Sequence, residues 1–214
     1  LKVTELADRL FISPASVVRF CQKLGFSGYS DFKASLRMDL FEPEAAPRET
    51  RPTDFFRDIQ KTIQMVPEET VERIVELIHR SRRIELYAVG SSRMPGTELA
   101  KRLQTIGKAA FCYDDSTLMN ISARQLTPDD LVLALSISGE TSLIIAAATV
   151  AKSRGAALVS FTNLGSNTLS SMADETLYVN ATNFVRSGIQ VQSRVKLLML
   201  CEYLFFRYIE TYGG

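Results

Sequence analysis

The 214 residues hold 25 Lys and Arg against 24 Asp and Glu, with one His, three Cys and no Trp. A formal net charge of +1 excludes a polycation, so any nucleic-acid contact must come from a local patch. Hydrophobic residues at 46% and charged residues at 23% exclude a wholly disordered chain, and no run of about 18 apolar residues marks a membrane span.

The length suits one ordinary domain plus a small one. Cys21, Cys112 and Cys201 are far apart and form no CxxC pair, which points to a reducing, cytoplasmic setting rather than a disulfide framework. The chain opens on Leu1 with no signal-peptide pattern, and its first module is expected to be N-terminally incomplete.

Residues 1–41 read as helical throughout. A short helix over 4–10 leads through Phe11 and Ile12 to Ser13-Pro14, a favoured N-cap followed by the residue preferred at the first helical position. A second helix over 15–24 stops at Gly25, with Val17, Val18, Cys21 and Leu24 inward and Ala15, Ser16, Arg19, Gln22 and Lys23 outward. This is the helix-turn-helix pattern, in which the second helix enters the major groove. Small Ala15 and Ser16 allow close approach and Arg19 reaches a base edge or phosphate, so Ser13, Ala15, Ser16, Arg19 and Lys23 are the candidate DNA contacts. The local charge over 1–41 is +2, modest for this role, and the same spacing also suits a small helical bundle making only protein contacts.

Three prolines and no large aliphatic residue over 42–52 read as a linker. Amphipathic helices are expected next at 53–66 and 68–81, broken by Pro67. Strands are expected at 84–89, 109–113, 131–137, 156–162 and 176–180, interleaved with helices at 95–106, 142–154 and 167–172, and a long helix closes the chain at 189–210. The third and fourth strands are continuous apolar runs, the pattern of strands covered on both faces, so the fold class is α/β with a parallel sheet behind an all-α module. The last helix is apolar on nearly all sides, more than one sheet face requires, which suggests a subunit interface and a homodimer or higher homo-oligomer.

Two loops after strand ends are rich in hydroxyls. Gly90-Ser91-Ser92-Arg93 comes after the first strand, and Ser136-Ile137-Ser138-Gly139-Glu140-Thr141 after the third. In open parallel sheets ligands bind beyond the carboxyl ends of the strands, and a helix N-terminus there offers free amides to an anion. Capping alone explains such hydroxyls in one loop. Two loops at neighbouring strand ends favour an anion site, with Gly90 and Gly139 allowing close approach of the backbone. The chain lacks both the GxxxxGK[ST] phosphate loop and the GxGxxG fingerprint, and nothing calls for a metal or other cofactor. Thr162-Asn163 either contacts hydroxyls of a ligand or begins a turn.

The wording of the first module, Val3-Thr4-Glu5-Leu6-Ala7, Ser13-Pro14-Ala15-Ser16-Val17-Val18-Arg19-Phe20 and Lys23-Leu24-Gly25-Phe26, resembles the DNA-binding domain of RpiR-family bacterial regulators. The Ser-x-Ser-Gly-Glu-Thr loop resembles the hallmark of the SIS (sugar isomerase) domain, over about 84–180 and on into the closing helix. The resemblance implies a three-layer αβα SIS domain with a five-stranded parallel sheet over 53–214. It implies that Ser92, Ser136, Ser138 and Thr141 hold a sugar phosphate, with Ser91, Gly139 and Glu140 as further candidates. It also implies operator DNA and a phosphorylated sugar effector as partners, and no membrane. In one departure, Ala88 stands where the usual first loop, Gly-x-Gly-x-Ser, has its first Gly.

SIS domains also serve sugar-phosphate isomerases, so an aldose–ketose isomerase with an attached helical module is the alternative. Such an enzyme needs a general base. The candidates are Glu98, Glu140 and the sole histidine, His79, which reads as a half-exposed surface residue. Glu140 reads more readily as an acceptor from a sugar hydroxyl. The reading favoured is a non-enzymatic transcription regulator of sugar metabolism genes. Arg186, Ser193 and Arg194 precede or enter the last helix, where the resemblance implies residues that complete the site or the dimer, but they read more readily as surface polar residues.

Overall fold

The computed structural model describes residues 3–23, 28–29, 52–180, 184–186 and 189–213. The linker read at 42–52 falls outside these except for Pro52, as does most of 24–41. The chain parts into two compact units, residues 1–49 and 50–214.

In the first unit, α1 (Val3–Arg9) and α2 (Pro14–Lys23) pack through Ala7, Val17 and Cys21, with Val3, Leu6 and Tyr29 against them. The connection turns at Phe11, whose φ of 54° is left-handed, and closes with Ile12 N donating to Ala7 O at 3.0 Å. Ser13 caps α2 as expected, its Oγ accepting from Ser16 N at 3.1 Å.

In the second unit, α3 (Pro52–Gln64) and α4 (Glu68–Arg80) precede a sheet of five parallel strands in the order β2-β1-β3-β4-β5. These are β1 (Arg83–Ala88), β2 (Ala110–Tyr113), β3 (Asp130–Leu135), β4 (Ala157–Asn163) and β5 (Glu175–Val179). Between them run α5 (Arg93–Thr105), α6 (Ser116–Ala123), α7 (Ser142–Ser153) and α8 (Thr168–Met172). The three-layer expectation holds. One face of the sheet, with Leu86, Leu133 and Phe161, packs on α4, α5 and the closing helix α9 (Val195–Tyr212). The other face, with Tyr87, Val132 and Leu158, packs on α6, α7 and α8. Both faces are buried, which is why β3 and β4 read as unbroken apolar runs.

Three elements differ from the sequence reading. Helix α6 has no counterpart in it; Asp115 starts this helix, its carboxylate accepting from Leu118 N at 2.9 Å. The closing helix begins at Val195 rather than near 189, because Ile189–Val191 is strand β7, paired antiparallel with β6 (Phe184–Arg186). Strand β3 ends at Leu135 instead of 137: the chain turns at Ser136, whose carbonyl accepts from Gly139 N at 3.0 Å.

A buried polar cluster interrupts the α6 side. Glu85, fully buried, accepts from Tyr87 Oη at 2.7 Å and from Ser122 Oγ, and pairs with Arg83. Burial, then the neighbouring Glu85 carboxylate, pushes the Tyr87 hydroxyl well above its ordinary range. The three cysteines are free, and burial pushes the Cys201 thiol up. Among the described residues no helix is long and apolar enough to cross a membrane.

Phe161 is fully buried in the α5–α9 layer. Phe161→Ala is expected to lower stability by about 3–5 kcal/mol, read from the urea unfolding midpoint of the full chain.

Candidate functional site

From β1 the chain crosses through α5 on one face to β2, whereas from β3 it crosses through α7 on the opposite face to β4. Strands β1 and β3 are direct neighbours, with Ala88 paired to Leu135 at their carboxyl ends. Two connections leaving adjacent strands toward opposite faces open a crevice, the topological switch point of an α/β sheet. Both hydroxyl-rich loops stand at it.

The loop after β3 is internally organised. Ser136, 3% exposed, brings its Oγ to 2.7 Å from Thr141 Oγ1 and 3.4 Å from Ser138 Oγ. Ser138 is exposed and its Oγ accepts from Glu140 N at 3.2 Å. Thr141 stands at the N-cap of α7 but does not cap it with its side chain. The first helical donors, Ile144 N and Ile145 N, both reach Thr141 O at 3.0 Å, leaving the amides of Ser142 and Leu143 without an intrahelical acceptor. Three hydroxyls and a helix N-terminus therefore converge without an acidic group between them, an arrangement suited to an anion.

Gly139 is fixed by its surroundings. Its φ is +66°, and a Cβ there would lie 2.0 Å from Asn167 Oδ1. Asn167 is buried and caps α8 by accepting from Ser170 N at 2.9 Å, while Leu169 N donates to Gly139 O at 3.1 Å. Glu140 turns to the same place: its two carboxylate oxygens accept from Thr168 N at 2.7 Å and from Thr168 Oγ1 at 2.8 Å. The loop after β3 is thus braced against the start of α8.

The loop after β1 forms a single 3-10 turn, Gly90–Ser92, with Gly90 at φ +58°. Ser91 is exposed. Ser92 is 5% exposed and its Oγ accepts from Arg194 Nε at 3.2 Å. Arg194 Nη1 donates to the Gln192 carbonyl and Oε1, both at 2.9 Å, so the described partners of this cation are all neutral. Burial alone pulls its pKa down from the ordinary arginine value, and the side chain stays charged. From sequence Arg194 reads as a surface residue. Its only local signal is its place just ahead of the last helix, and the partner Ser92 lies far back in the chain.

Ala88 is fully buried in the α5 layer, and its Cβ lies 3.1 Å from where a Cβ on Gly96 would stand. The extra methyl is taken up by a glycine of α5. Arg93 pairs with Asp114 at 2.6 Å, which holds the Asp114 carboxyl below its ordinary range. Thr162 is buried and its Oγ1 donates to Ile137 O at 3.3 Å. The three residues weighed as general bases lie apart. Glu98 pairs with Arg102 at 3.0 Å, Glu140 is held by Thr168, and His79, just before β1, stacks on Tyr212 at the amino end of the sheet.

In the first unit, Ala15 and Arg19 are exposed on α2 and Ser16 is half-buried. Ser13 Oγ and Ser16 Oγ are 2.9 Å apart, and Arg19 Nη2 reaches Ser16 Oγ at 3.5 Å. Four of the five candidate DNA contacts therefore lie on the cap and first two turns of one helix. Lys23 ends the helix, and its side chain lies outside the described residues.

Gly139→Ala would place a methyl on the Asn167 side chain and strain a left-handed backbone. The expected result is a loss of more than about 1 kcal/mol of stability, read by thermal unfolding, together with a change in the amide chemical shifts of both 136–141 and 167–170.

A model of the SIS domain matches residues 77–207, and one of the helix-turn-helix domain of the rpiR family matches residues 1–43. The HTH-type transcriptional regulator YbbH of Bacillus subtilis is 28% identical over 95% of this chain and 77% of its own length. The HTH-type transcriptional regulator RpiR of Escherichia coli K12 is 25% identical over 95% of this chain and 73% of its own. The structure of the Vibrio vulnificus NanR protein complexed with ManNAc-6P is 33% identical, covers 99% of this chain and 80% of its own, and superposes with a TM-score of 0.69. Isomerases of sugar phosphates share the fold at under 20% identity, a likeness of fold alone. Two matched domains in this order, the second of them holding the crevice, lead to one assignment: the chain belongs to the SIS-domain family, in the arrangement of the RpiR-family helix-turn-helix transcriptional regulators.

Proposed function

We propose that this regulator senses a phosphorylated sugar in the crevice between β1 and β3 and binds operator DNA through α2. The observation that carries the reading is the convergence of the Ser136, Ser138 and Thr141 hydroxyls with the uncapped start of α7. Ser92 and the neutral-partnered Arg194 supply the facing wall. In this reading the phosphate accepts from the three hydroxyls, from Ser92 and from the first-turn amides of α7, while Arg194 supplies the counter-charge. Ser91 and Gly139 contribute backbone close to the anion. Glu140 lies within the same loop, with its carboxylate committed to Thr168.

Sensing rather than turnover is favoured by the positions of the candidate bases, each engaged elsewhere or at the opposite end of the sheet. The regulator names of the similar YbbH and RpiR proteins point the same way. A cytoplasmic homodimer would bring two copies of α2 to a palindromic site. Residues 1–41 are then the DNA-binding module, with Ser13, Ala15, Ser16, Arg19 and Lys23 its contacts, and 42–52 joins it to the sensor over 53–214.

Thermal unfolding of the full chain with N-acetylmannosamine 6-phosphate, glucose 6-phosphate and their unphosphorylated parents tests the sensor. A bound phosphosugar at about 100 times its Kd adds roughly 2.7 kcal/mol, so the midpoint should rise with a phosphorylated sugar only. Ser138→Ala and Arg194→Ala should each shrink that rise. A midpoint indifferent to every phosphorylated sugar overturns the reading.

For DNA, Arg19→Ala should weaken operator binding by roughly 1–3 kcal/mol, read by fluorescence anisotropy at fixed salt. An unchanged affinity would remove α2 from the interface.

A further inference from the structure

Helix α3 is the first element after the stretch that leads from the DNA-binding module, and it carries a buried charge. Asp58, 6% exposed, pairs through Oδ2 with Lys196 Nζ at 3.1 Å, and Lys196 is 2% exposed. Asp58 Oδ1 accepts from Asn180 Nδ2 at 3.0 Å, Lys196 Nζ also donates to Asn180 O, and Asn180 N donates to the fully buried Thr62 Oγ1 at 3.0 Å. Thr62 Oγ1 in turn donates to Asp58 O at 2.9 Å, one turn back along α3. The cluster joins α3, the residue after β5 and the first turn of α9.

A pair this buried is a poor device for stability alone, because removing two charges from water offsets most of their attraction. What its hydrogen bonds do is tie three elements to one another. Lys196 stands two residues after Arg194, and Arg194 is the N-cap of α9 and the cation on Ser92. Drawing Arg194 away from Ser92 and Gln192 would therefore pull at the residue that opens α9. Lys196 cannot move independently, since its described partners all belong to the buried cluster.

We infer that Asp58 and Lys196 are positioning residues: they set Arg194 at the mouth of the crevice and carry its displacement to α3. This role rests on the proposed anion site. It requires differential stability of α3 with the crevice filled and empty, since a ligand shifts only equilibria to which it binds unequally.

Hydrogen exchange of the full chain with inorganic phosphate, against chloride at equal ionic strength, tests it. In the wild type, phosphate should change exchange severalfold in the loops 89–93 and 136–143 and also across 55–64. Asp58→Asn alone leaves a buried ammonium short of its counter-ion and serves as the disruptive variant. The paired Asp58→Asn/Lys196→Met keeps side-chain length while removing both charges. It should retain the change in the loops and lose it across 55–64, and its affinity for phosphate should fall severalfold because Arg194 is less well held. A wild-type response confined to the loops, or a response across 55–64 that survives in the paired variant, overturns the inference and leaves the anion site standing. Absence of any response in the wild-type loops overturns the anion site, and this inference with it.

Discussion

Everything assigned to the second unit depends on one constraint, the reversal of winding between β1 and β3. A parallel sheet must be wound by right-handed crossovers, so strands added on opposite sides carry their helices on opposite faces. Where the winding changes side, no helix covers the strand ends, and the backbone there is forced into loops. Ala88 and Leu135 are the last paired residues before that gap. The few residues next in the chain after each of them, 89–93 and 136–141, carry the chemistry of the proposed site.

The two loops meet the constraint differently. The loop after β3 is held by its own hydroxyls and by the start of α8: its hydroxyls are spaced by one another, its glycine interlocks with Asn167 and its carboxylate holds Thr168. The loop after β1 is short and leans on Arg194 from the far end of the chain. A wall braced by α8 faces a wall whose main cation arrives on a separate element.

Much of this is legible from sequence because burial on two faces leaves a direct compositional trace. The runs 131–135 and 157–161 admit few other readings, and Ser13-Pro14 marks a helix start by local chemistry alone. Elements with weaker local signals are lost. Helix α6 has only Asp115 to announce it, and β7 looks like the first turn of an apolar helix until Phe184–Arg186 is paired against it. The pairing of Arg194 with Ser92 and of Asp58 with Lys196 leaves no local signature, since the partners lie 102 and 138 residues apart and only the tertiary fold brings them together. Glu140 reads as a sugar acceptor from its place in the loop, and its hydrogen bonds to α8 depend on a register that sequence does not display.

The contact between Ala88 and Gly96 reframes the unusual first loop. The strand end and α5 share room for about one methyl group between them, and in this chain it is carried by the strand. Exchanging the two, with glycine at 88 and alanine at 96, would conserve that volume while requiring Cys112, 3.2 Å from the new Cβ, to yield by a few tenths of an ångström. The residue at 88 is then one half of a packing pair with a helix position eight residues on. Its identity measures how closely α5 lies on the sheet.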